Sequence, residues 1–284
     1  MCRAKTGVCE STASRPGNCP PESAVKWSRF AISGKYYSFA PCRSGPRPCG
    51  GALAAASADP RAGLRTGTAV TRGVGILGGT FDPIHYGHLR IADEVGAALG
   101  LAQVRLIPAG NPYHRPAGAP LTPRLQRLAM ARLGVATFPR LRVDPREALC
   151  AEPSYTIDTL TALRAELNAS PILLLLGADT FATLPTWKRW QELLGLAHIV
   201  VVARPDHQLT GPLPPALAVT LAASRTEDSG LLSRRAGHIY YQGVTPQPIS
   251  ATRIREMVRA GQPLDGMVPP AVAEYIATHL LYRS

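Results

Sequence analysis

Two runs of aliphatic residues constrain the fold of this chain more than any other feature. Ile172 to Leu176 and Ile199 to Val202 contain only branched apolar side chains. Neither run shows the alternation of polar and apolar residues that is typical of a strand with one face in water. Strands without that alternation are buried on both faces, as in parallel sheets covered by helices. The sequence therefore predicts an α/β fold with helices on both sides of a parallel sheet.

Strand and helix patterns alternate from Val74 onward, which predicts an open, doubly wound parallel sheet whose ligands bind beyond the carboxyl ends of the strands. The expected strands are Val74–Leu77, Gln103–Pro108, Leu141–Val143, Pro171–Leu176, His198–Ala203 and His238–Tyr241. The expected helices are Tyr86–Leu99, Pro123–Ala136, Thr156–Leu167, Trp187–Leu196, Pro215–Ser224 and two C-terminal helices, Thr252–Ala260 and Pro270–Leu281.

A glycine turn follows the first of these strands. Gly78 and Gly79 end the strand, and a helix is expected to restart with Asp82 as its N-cap and Pro83 at its first position. The backbone N–H groups of such a turn and helix start favour an anion. His85 and His88 share one face of that helix. Capping and packing would explain an isolated pair, and zinc would need a third ligand. Because this pair directly follows a turn of the phosphate-binding type, it indicates a phosphate site without a metal.

A second anion site is predicted at Pro248 to Arg255. Ser250 is a natural N-cap, and capping alone would explain one hydroxyl there. Arg253 would then occupy the third helical position, where a cation opposes the helix dipole by roughly 0.3–1 kcal/mol. An anionic ligand at the helix start would remove that conflict.

Charge and cysteines separate residues 1–70 from the remainder. That segment carries ten Lys/Arg against three acidic residues, whereas residues 71–284 carry 21 and 16. Most of the net charge of +12 therefore lies outside the predicted sheet and is weak evidence for nucleic-acid binding. Five of the six cysteines also lie before residue 50, without a CxxC pair.

Residues 1–70 are expected to be either a disordered leader or a mis-annotated N-terminal extension, because they show no sustained apolar period. A shorter product would need a start codon other than Met near Val70 or Val74, since no methionine lies between Met1 and Met130. Residues 71–284 are expected to form one catalytic domain. No stretch is apolar for long enough to span a bilayer, so we expect a cytoplasmic protein without a membrane partner.

The two anion sites together resemble a known family. Gly78-Gly-Thr-Phe-Asp-Pro-Ile-His-Tyr-Gly-His88 and Ile249-Ser-Ala-Thr-Arg-Ile-Arg255 are similar to the HxGH and ISSTxxR motifs of the nucleotidylyltransferase superfamily, which has a Rossmann-like fold. The resemblance is narrower to bacterial nicotinate-nucleotide adenylyltransferases and covers about residues 73–282. Three stretches carry it: Pro153 to Leu160, Leu176 to Asp179 and Leu184 to Trp187. Ala251 departs from the pattern, where a second Ser is common.

The resemblance implies that the adenylyl group of ATP is transferred to nicotinate mononucleotide, with release of pyrophosphate and no covalent enzyme intermediate. His88 would bind the α-phosphate, and His85 would also contact phosphate. Mg²⁺ would arrive with ATP. The residues expected to bind ATP are Gly78, Gly79, Thr80, Phe81, Gly87, Ser250, Thr252 and Arg255.

For the acceptor, Trp187 would stack on the pyridine ring, although a buried core Trp is the alternative. Trp190 is expected to pack in the core. Backbone N–H groups at helix starts near Trp187 and near Tyr155 and Thr156 would bind the carboxylate. Asp179 is either a ribose-hydroxyl acceptor or a helix cap. His114 and Arg115 are expected to contact phosphate or to lie in a solvated loop.

Three other functions stay open at this point. A sister adenylyltransferase could use nicotinamide mononucleotide or phosphopantetheine, and the Ser154 to Thr156 stretch with Trp187 argues against the second. A nucleotide sensor or an RNA-binding module would have lost catalysis, against which the intact His85, His88 and Arg255 argue. We expect no nucleic-acid partner, and either a monomer or a homo-oligomer.

Overall fold

The computed structural model describes residues 73–112, 121–203 and 213–283, together with two short strands nearer the start of the chain. Those strands, Arg29–Ile32 (β1) and Lys35–Ser38 (β2), pair antiparallel with Phe30 opposite Tyr37. They lie in a separate unit from the large sheet. The sequence predicted no regular element here, because four residues per strand are too few to establish a hydrophobic period. The structure thus describes two strands where the sequence predicted no regular element, and the division of the chain at residue 70 stays a prediction. For the rest of residues 1–70 the prediction of disorder lies outside the described residues.

The main unit is an open sheet of seven parallel strands in the order β5-β4-β3-β6-β7-β9-β8. The predicted doubly wound parallel sheet is thus confirmed. Its strands are Val74–Gly79 (β3), Gln103–Pro108 (β4), Leu141–Val143 (β5), Ile172–Gly177 (β6), His198–Ala203 (β7), Arg225–Thr226 (β8) and Ile239–Gly243 (β9).

Nine α-helices lie in the described residues. They are Tyr86–Ala98 (α1), Arg124–Gly134 (α2), Arg146–Leu149 (α3), Thr156–Leu167 (α4), Ala178–Ala182 (α5), Leu193–Leu196 (α6), Pro215–Ser224 (α7), Ala251–Arg259 (α8) and Pro270–Thr278 (α9). Short 3-10 helices cover Val135–Thr137, Leu184–Thr186, Trp190–Glu192 and Ser229–Ser233. Of these described helices, none is long and apolar enough to cross a membrane.

The two aliphatic runs are buried on both faces of the sheet, as predicted. Leu173 and Leu175 of β6 belong to one hydrophobic cluster, whereas Leu174 and Leu176 belong to a second cluster. Val200 and Val201 of β7 divide between the two clusters in the same way. Helices therefore cover each face, and only the strand ends are free to build a site.

The predicted helix Trp187–Leu196 is wrong in most of its length. Arg189 has a left-handed backbone with φ 53°, which interrupts any continuous helix. The 3-10 turn Trp190–Glu192 and the short α6 replace it.

The strand order reverses between β3 and β6. From β3 the sheet grows through β4 and β5 on one side, and from β6 through β7 on the other. The pairing of β3 with β6 ends at Ile76, opposite Leu174, although both strands continue beyond it. Connections from the two strands leave in opposite directions at such a switch point, which opens a crevice at their carboxyl ends.

Buried Arg127 of α2 holds the loops on one side of this crevice. Its guanidinium donates to the carbonyl oxygens of Thr80 (2.7 Å), Gly110 (2.9 Å) and Thr122 (2.9 Å). A single side chain therefore ties the loop after β3 to the loop after β4 and to the segment before α2.

We expect Arg127→Met to lower the free energy of unfolding by about 2–4 kcal/mol, because three carbonyl oxygens lose a charged donor. Urea denaturation at neutral pH measures this value. Arg124→Met is the control, since Arg124 is an exposed residue of the same helix and its loss should cost less than about 0.5 kcal/mol. Equal destabilisation by both substitutions would contradict this role for Arg127.

Candidate functional site

The connection from β3 to α1 differs from the prediction in its helix start. His85, not Asp82, is the N-cap of α1, and Pro83 lies before the helix. Asp82 cannot cap the helix because its carboxylate accepts the Tyr282 hydroxyl (2.7 Å) and the Thr122 N–H (3.4 Å). The helix start nevertheless carries no acidic residue in its first turn, so its dipole is open to an anion.

The two predicted catalytic histidines are stacked on one another. The ring centroids of His85 and His88 lie 3.7 Å apart, and Phe81 meets the His88 ring edge-on at 5.0 Å. The Nδ1 atoms of both imidazoles are buried and have no hydrogen-bond partner in the described protein. A buried polar atom without a partner is costly, so the fold bears this cost at both histidines in the free protein.

Burial also keeps both imidazoles neutral. Desolvation lowers the pKa of His85 from 6.5 to about 4. The pKa of His88 is well below its usual value, first because of desolvation and then because of the neighbouring His85. Two rings in van der Waals contact cannot both carry a charge cheaply, so the pair is neutral until an anion arrives.

Two glycines of the first motif are required by close packing. A Cβ on Gly87 would lie 2.8 Å from the Nδ1 of His85 and 3.3 Å from the carbonyl oxygen of Ile249. A Cβ on Gly79 would lie 2.8 Å from the Phe81 ring. Gly87 therefore lets the histidine pair sit directly against the segment that leads into α8.

The start of α8 forms as predicted, with Ser250 as its N-cap. The Ser250 hydroxyl accepts the N–H of Arg253 (3.2 Å), and no acidic residue lies in the first turn. Thr252 is exposed, and its hydroxyl accepts from Arg255 (3.3 Å). The helix start thus carries hydroxyls and two guanidiniums without a carboxylate, which suits a polyphosphate.

One hydrogen bond joins the two predicted phosphate sites. Arg255 donates to the carbonyl oxygen of Asp82 at 2.7 Å, across 173 positions of sequence. The guanidinium therefore lies beside the loop that precedes His85. The structure brings the predicted ATP residues of both motifs into one region.

A cavity of about 190 Å³ opens at the switch point beside His88. Asp179 lines it with Gly177 and Leu77, from the ends of β6 and β3. Gly177 is the N-cap of α5, so the alternative that Asp179 caps this helix is wrong. Its position places a carboxylate across the crevice from the imidazole, and its role toward ribose stays a prediction.

Three predicted acceptor residues, Tyr155, Thr156 and Trp187, do not line this cavity, whereas Asp179 does. Tyr155 is the N-cap of α4 and Thr156 its first residue. Trp187 does not begin a helix, because it ends a 3-10 turn and its N–H donates to Leu184. The prediction of a helix start at Trp187 is therefore wrong, and the binding of the carboxylate near this residue stays a prediction. Lys188 links the two segments, with its ammonium 4.2 Å from the Tyr155 ring centroid.

Trp187 is partly buried against the second hydrophobic cluster, whereas Trp190 is a buried member of that cluster. The prediction that Trp190 packs in the core is confirmed. Among the described residues, neither Trp187 nor Tyr155 lines the cavity beside His88. His114 and Arg115 lie outside the described residues, so their assignment stays a prediction.

The sequence missed Arg127 and Tyr282, which shape the site from outside both motifs. Arg127 holds the carbonyl of Thr80, and Tyr282 holds the carboxylate of Asp82. One weak indication in the sequence marks Arg127 as a buried residue, because it lies among apolar neighbours within a predicted helix. No sequence pattern marks Tyr282.

Comparison with known proteins identifies similar chains. The cytidylyltransferase-like family matches residues 76–257. A protein of Aeromonas salmonicida (strain A449), named a probable nicotinate-nucleotide adenylyltransferase, is 49% identical over 212 residues, which are 74% of this chain and 97% of that protein. A protein of the same name from Pseudomonas fluorescens is 47% identical over the same shares of each chain.

Among solved structures, the nicotinic acid mononucleotide adenylyltransferase of Plasmodium falciparum complexed with NaAD aligns with a TM-score of 0.55. The alignment covers 74% of this chain and 97% of that one, at 16% identity. At 16% identity this structural similarity supports the assignment of the fold alone.

The neutral histidine pair predicts a loss of stability in acid. His85 has a pKa of 6.5 when unfolded and about 4 when folded, so between these values the unfolded chain binds more protons. Stability is therefore highest above pH 6.5 and falls as the pH drops toward 4. We expect His85→Gln to reduce the loss between pH 7 and pH 5 by on the order of 1–2 kcal/mol, measured by urea denaturation at each pH.

His279→Gln, at an exposed position just after α9, serves as the control and should keep the wild-type pH dependence. An unchanged pH dependence in His85→Gln would refute the neutral burial of this imidazole.

Proposed function

The chain belongs to the cytidylyltransferase-like family and, within it, to the nicotinate-nucleotide adenylyltransferases, and we propose that it transfers the adenylyl group of ATP to nicotinate mononucleotide. The products would be nicotinate adenine dinucleotide and pyrophosphate. The observation that carries the proposal is the junction of two acid-free helix starts, one bearing stacked imidazoles with unpartnered Nδ1 atoms, at a sheet switch point. The names of the similar proteins supply the acceptor.

In this proposal the triphosphate lies between the starts of α1 and α8. The α-phosphate contacts His88, while Ser250, Thr252 and Arg255 hold the β- and γ-phosphates. A 5′-phosphate oxygen of the acceptor attacks the α-phosphorus in line, and pyrophosphate leaves. The protein contributes position and charge stabilisation and forms no covalent intermediate.

The histidine pair supplies charge only when substrate is bound. A phosphate beside the pair would favour the imidazolium form, which burial disfavours in the free protein. The stacked geometry lets one ring take up the proton while the other stays neutral. A cation thus forms next to the phosphorus at which negative charge develops.

Mg²⁺ is proposed to enter with ATP and to screen the leaving pyrophosphate. Within the described residues, no three His, Cys, Asp or Glu side chains lie close enough to hold a metal. The Asp82 carboxylate, which precedes the histidine pair, is engaged by Tyr282 and Thr122. The residues present fit an ion carried mainly by the triphosphate.

The acceptor is proposed to reach the cavity beside His88 with its ribose near Asp179. Trp187 and the start of α4, at Tyr155 and Thr156, would receive the pyridine ring and its carboxylate. His114 and Arg115 would contact its phosphate.

A pyrophosphate-release assay tests the reaction directly. With ATP and Mg²⁺, we expect turnover with nicotinate mononucleotide and slower turnover with nicotinamide mononucleotide, because a helix start favours the carboxylate. Phosphopantetheine should give none. No turnover with nicotinate mononucleotide would overturn the proposed function. Faster turnover with nicotinamide mononucleotide would identify that mononucleotide as the acceptor instead.

We expect His88→Ala to lower kcat by about 10²–10³-fold, because it removes the proposed donor to the transferring phosphate. Because the substitution also removes packing against His85 and Phe81, thermal unfolding is measured in parallel and kcat is determined at a temperature at which the variant is fully folded. His279→Ala is the matched control at an exposed histidine. A His88→Ala protein with near-normal kcat would remove His88 from the mechanism.

A further inference from the structure

Asp82 is a buried carboxylate within the predicted ATP site that the proposed reaction does not use. Its side chain is 4% exposed and accepts the Tyr282 hydroxyl at 2.7 Å and the Thr122 N–H at 3.4 Å. The carbonyl oxygen of the same residue accepts from Arg255 at 2.7 Å. The phosphate-binding arginine therefore lies next to an acidic residue but is bound through its backbone.

Tyr282 reaches this carboxylate from the segment after α9. Its backbone is left-handed, with φ 63°, a conformation that costs energy for a bulky residue. Burial, together with the neighbouring Asp82, raises the pKa of its phenol, so the hydroxyl keeps its proton and stays a donor. A strained residue thus holds a protonated hydroxyl against one oxygen of the Asp82 carboxylate, while the side chain of Thr122 also forms a hydrogen bond with this hydroxyl.

The alternative partner for that carboxylate is the Arg255 guanidinium. A carboxylate and a guanidinium form charge-assisted, often bidentate pairs that are stronger than a bond to a neutral carbonyl. Such a pair would neutralise the arginine and direct its donors away from a phosphate. The hydroxyl of Tyr282 opposes this pairing because it occupies one oxygen of the carboxylate and fixes its orientation, so a bidentate pair with Arg255 would have to displace it.

We propose that Tyr282 is a positioning residue for ATP, which holds the Asp82 carboxylate and so keeps the Arg255 guanidinium available to the triphosphate. This inference rests on the proposed function only in taking ATP as the ligand. It assigns a role in nucleotide binding to a residue outside both sequence motifs.

The test is a double-mutant cycle on ATP binding, measured by isothermal titration calorimetry with Mg²⁺–ATP and no acceptor. Tyr282→Phe should weaken ATP binding by about five- to ten-fold, because the freed carboxylate competes for Arg255. In an Asp82→Asn background the same substitution should have less than about a two-fold effect, since no charged competitor is left. Tyr275→Phe, which removes a hydroxyl from α9, is the control and should bind ATP as the wild type does.

Unchanged ATP affinity in Tyr282→Phe would overturn the inference. An equal loss in both backgrounds would also overturn it, because Tyr282 would then act only through packing. The binding measurements need ATP but no acceptor. A failure to turn over nicotinate mononucleotide would therefore refute the proposed function, whereas the double-mutant cycle would still test the role of Tyr282.

Discussion

The site depends on the hydrogen bond from Arg255 to the carbonyl oxygen of Asp82. This bond joins the loop after β3 to the start of α8, which lie at opposite ends of the main unit in sequence. Gly87 supports the junction, since a side chain there would collide with His85 and with the backbone of Ile249. Together with this packing, the bond places the two helix starts side by side.

The electrostatics of that region are those of a site prepared for an anion. The first turns of α1 and α8 contain no acidic residue, and the imidazoles are neutral through burial. Asp82, the acidic residue of the loop before α1, accepts hydrogen bonds from donors of other segments. An anion at either helix start would interact favourably with the helix dipole. The cost of desolvating the imidazoles is met during folding.

The sheet and most of its elements could be predicted from the sequence, because fully apolar strands and periodic helices carry strong local signals. The N-cap at Ser250 could also be predicted, because a serine at the start of a helical pattern is itself a local signal. Local signals failed where distant residues decide the outcome. Asp82 looks like a helix cap until Tyr282, 200 residues away, takes its carboxylate. Arg189 breaks a helix whose apolar period continues through it. Arg127 joins the loop after β3 to both ends of the connection between β4 and α2 through carbonyl oxygens, and its apolar neighbours in the sequence do not specify these partners.

The central claim is that both helix starts bind one triphosphate. A crystal structure of the protein with ATP and Mg²⁺ tests it most directly. The account predicts the α-phosphate within hydrogen-bond distance of an imidazole nitrogen of His88. It also predicts the β- and γ-phosphates on Ser250, Thr252 and Arg255, with the Tyr282 bond to Asp82 intact. A triphosphate bound at only one of the two helix starts, or away from the histidine pair, would contradict it.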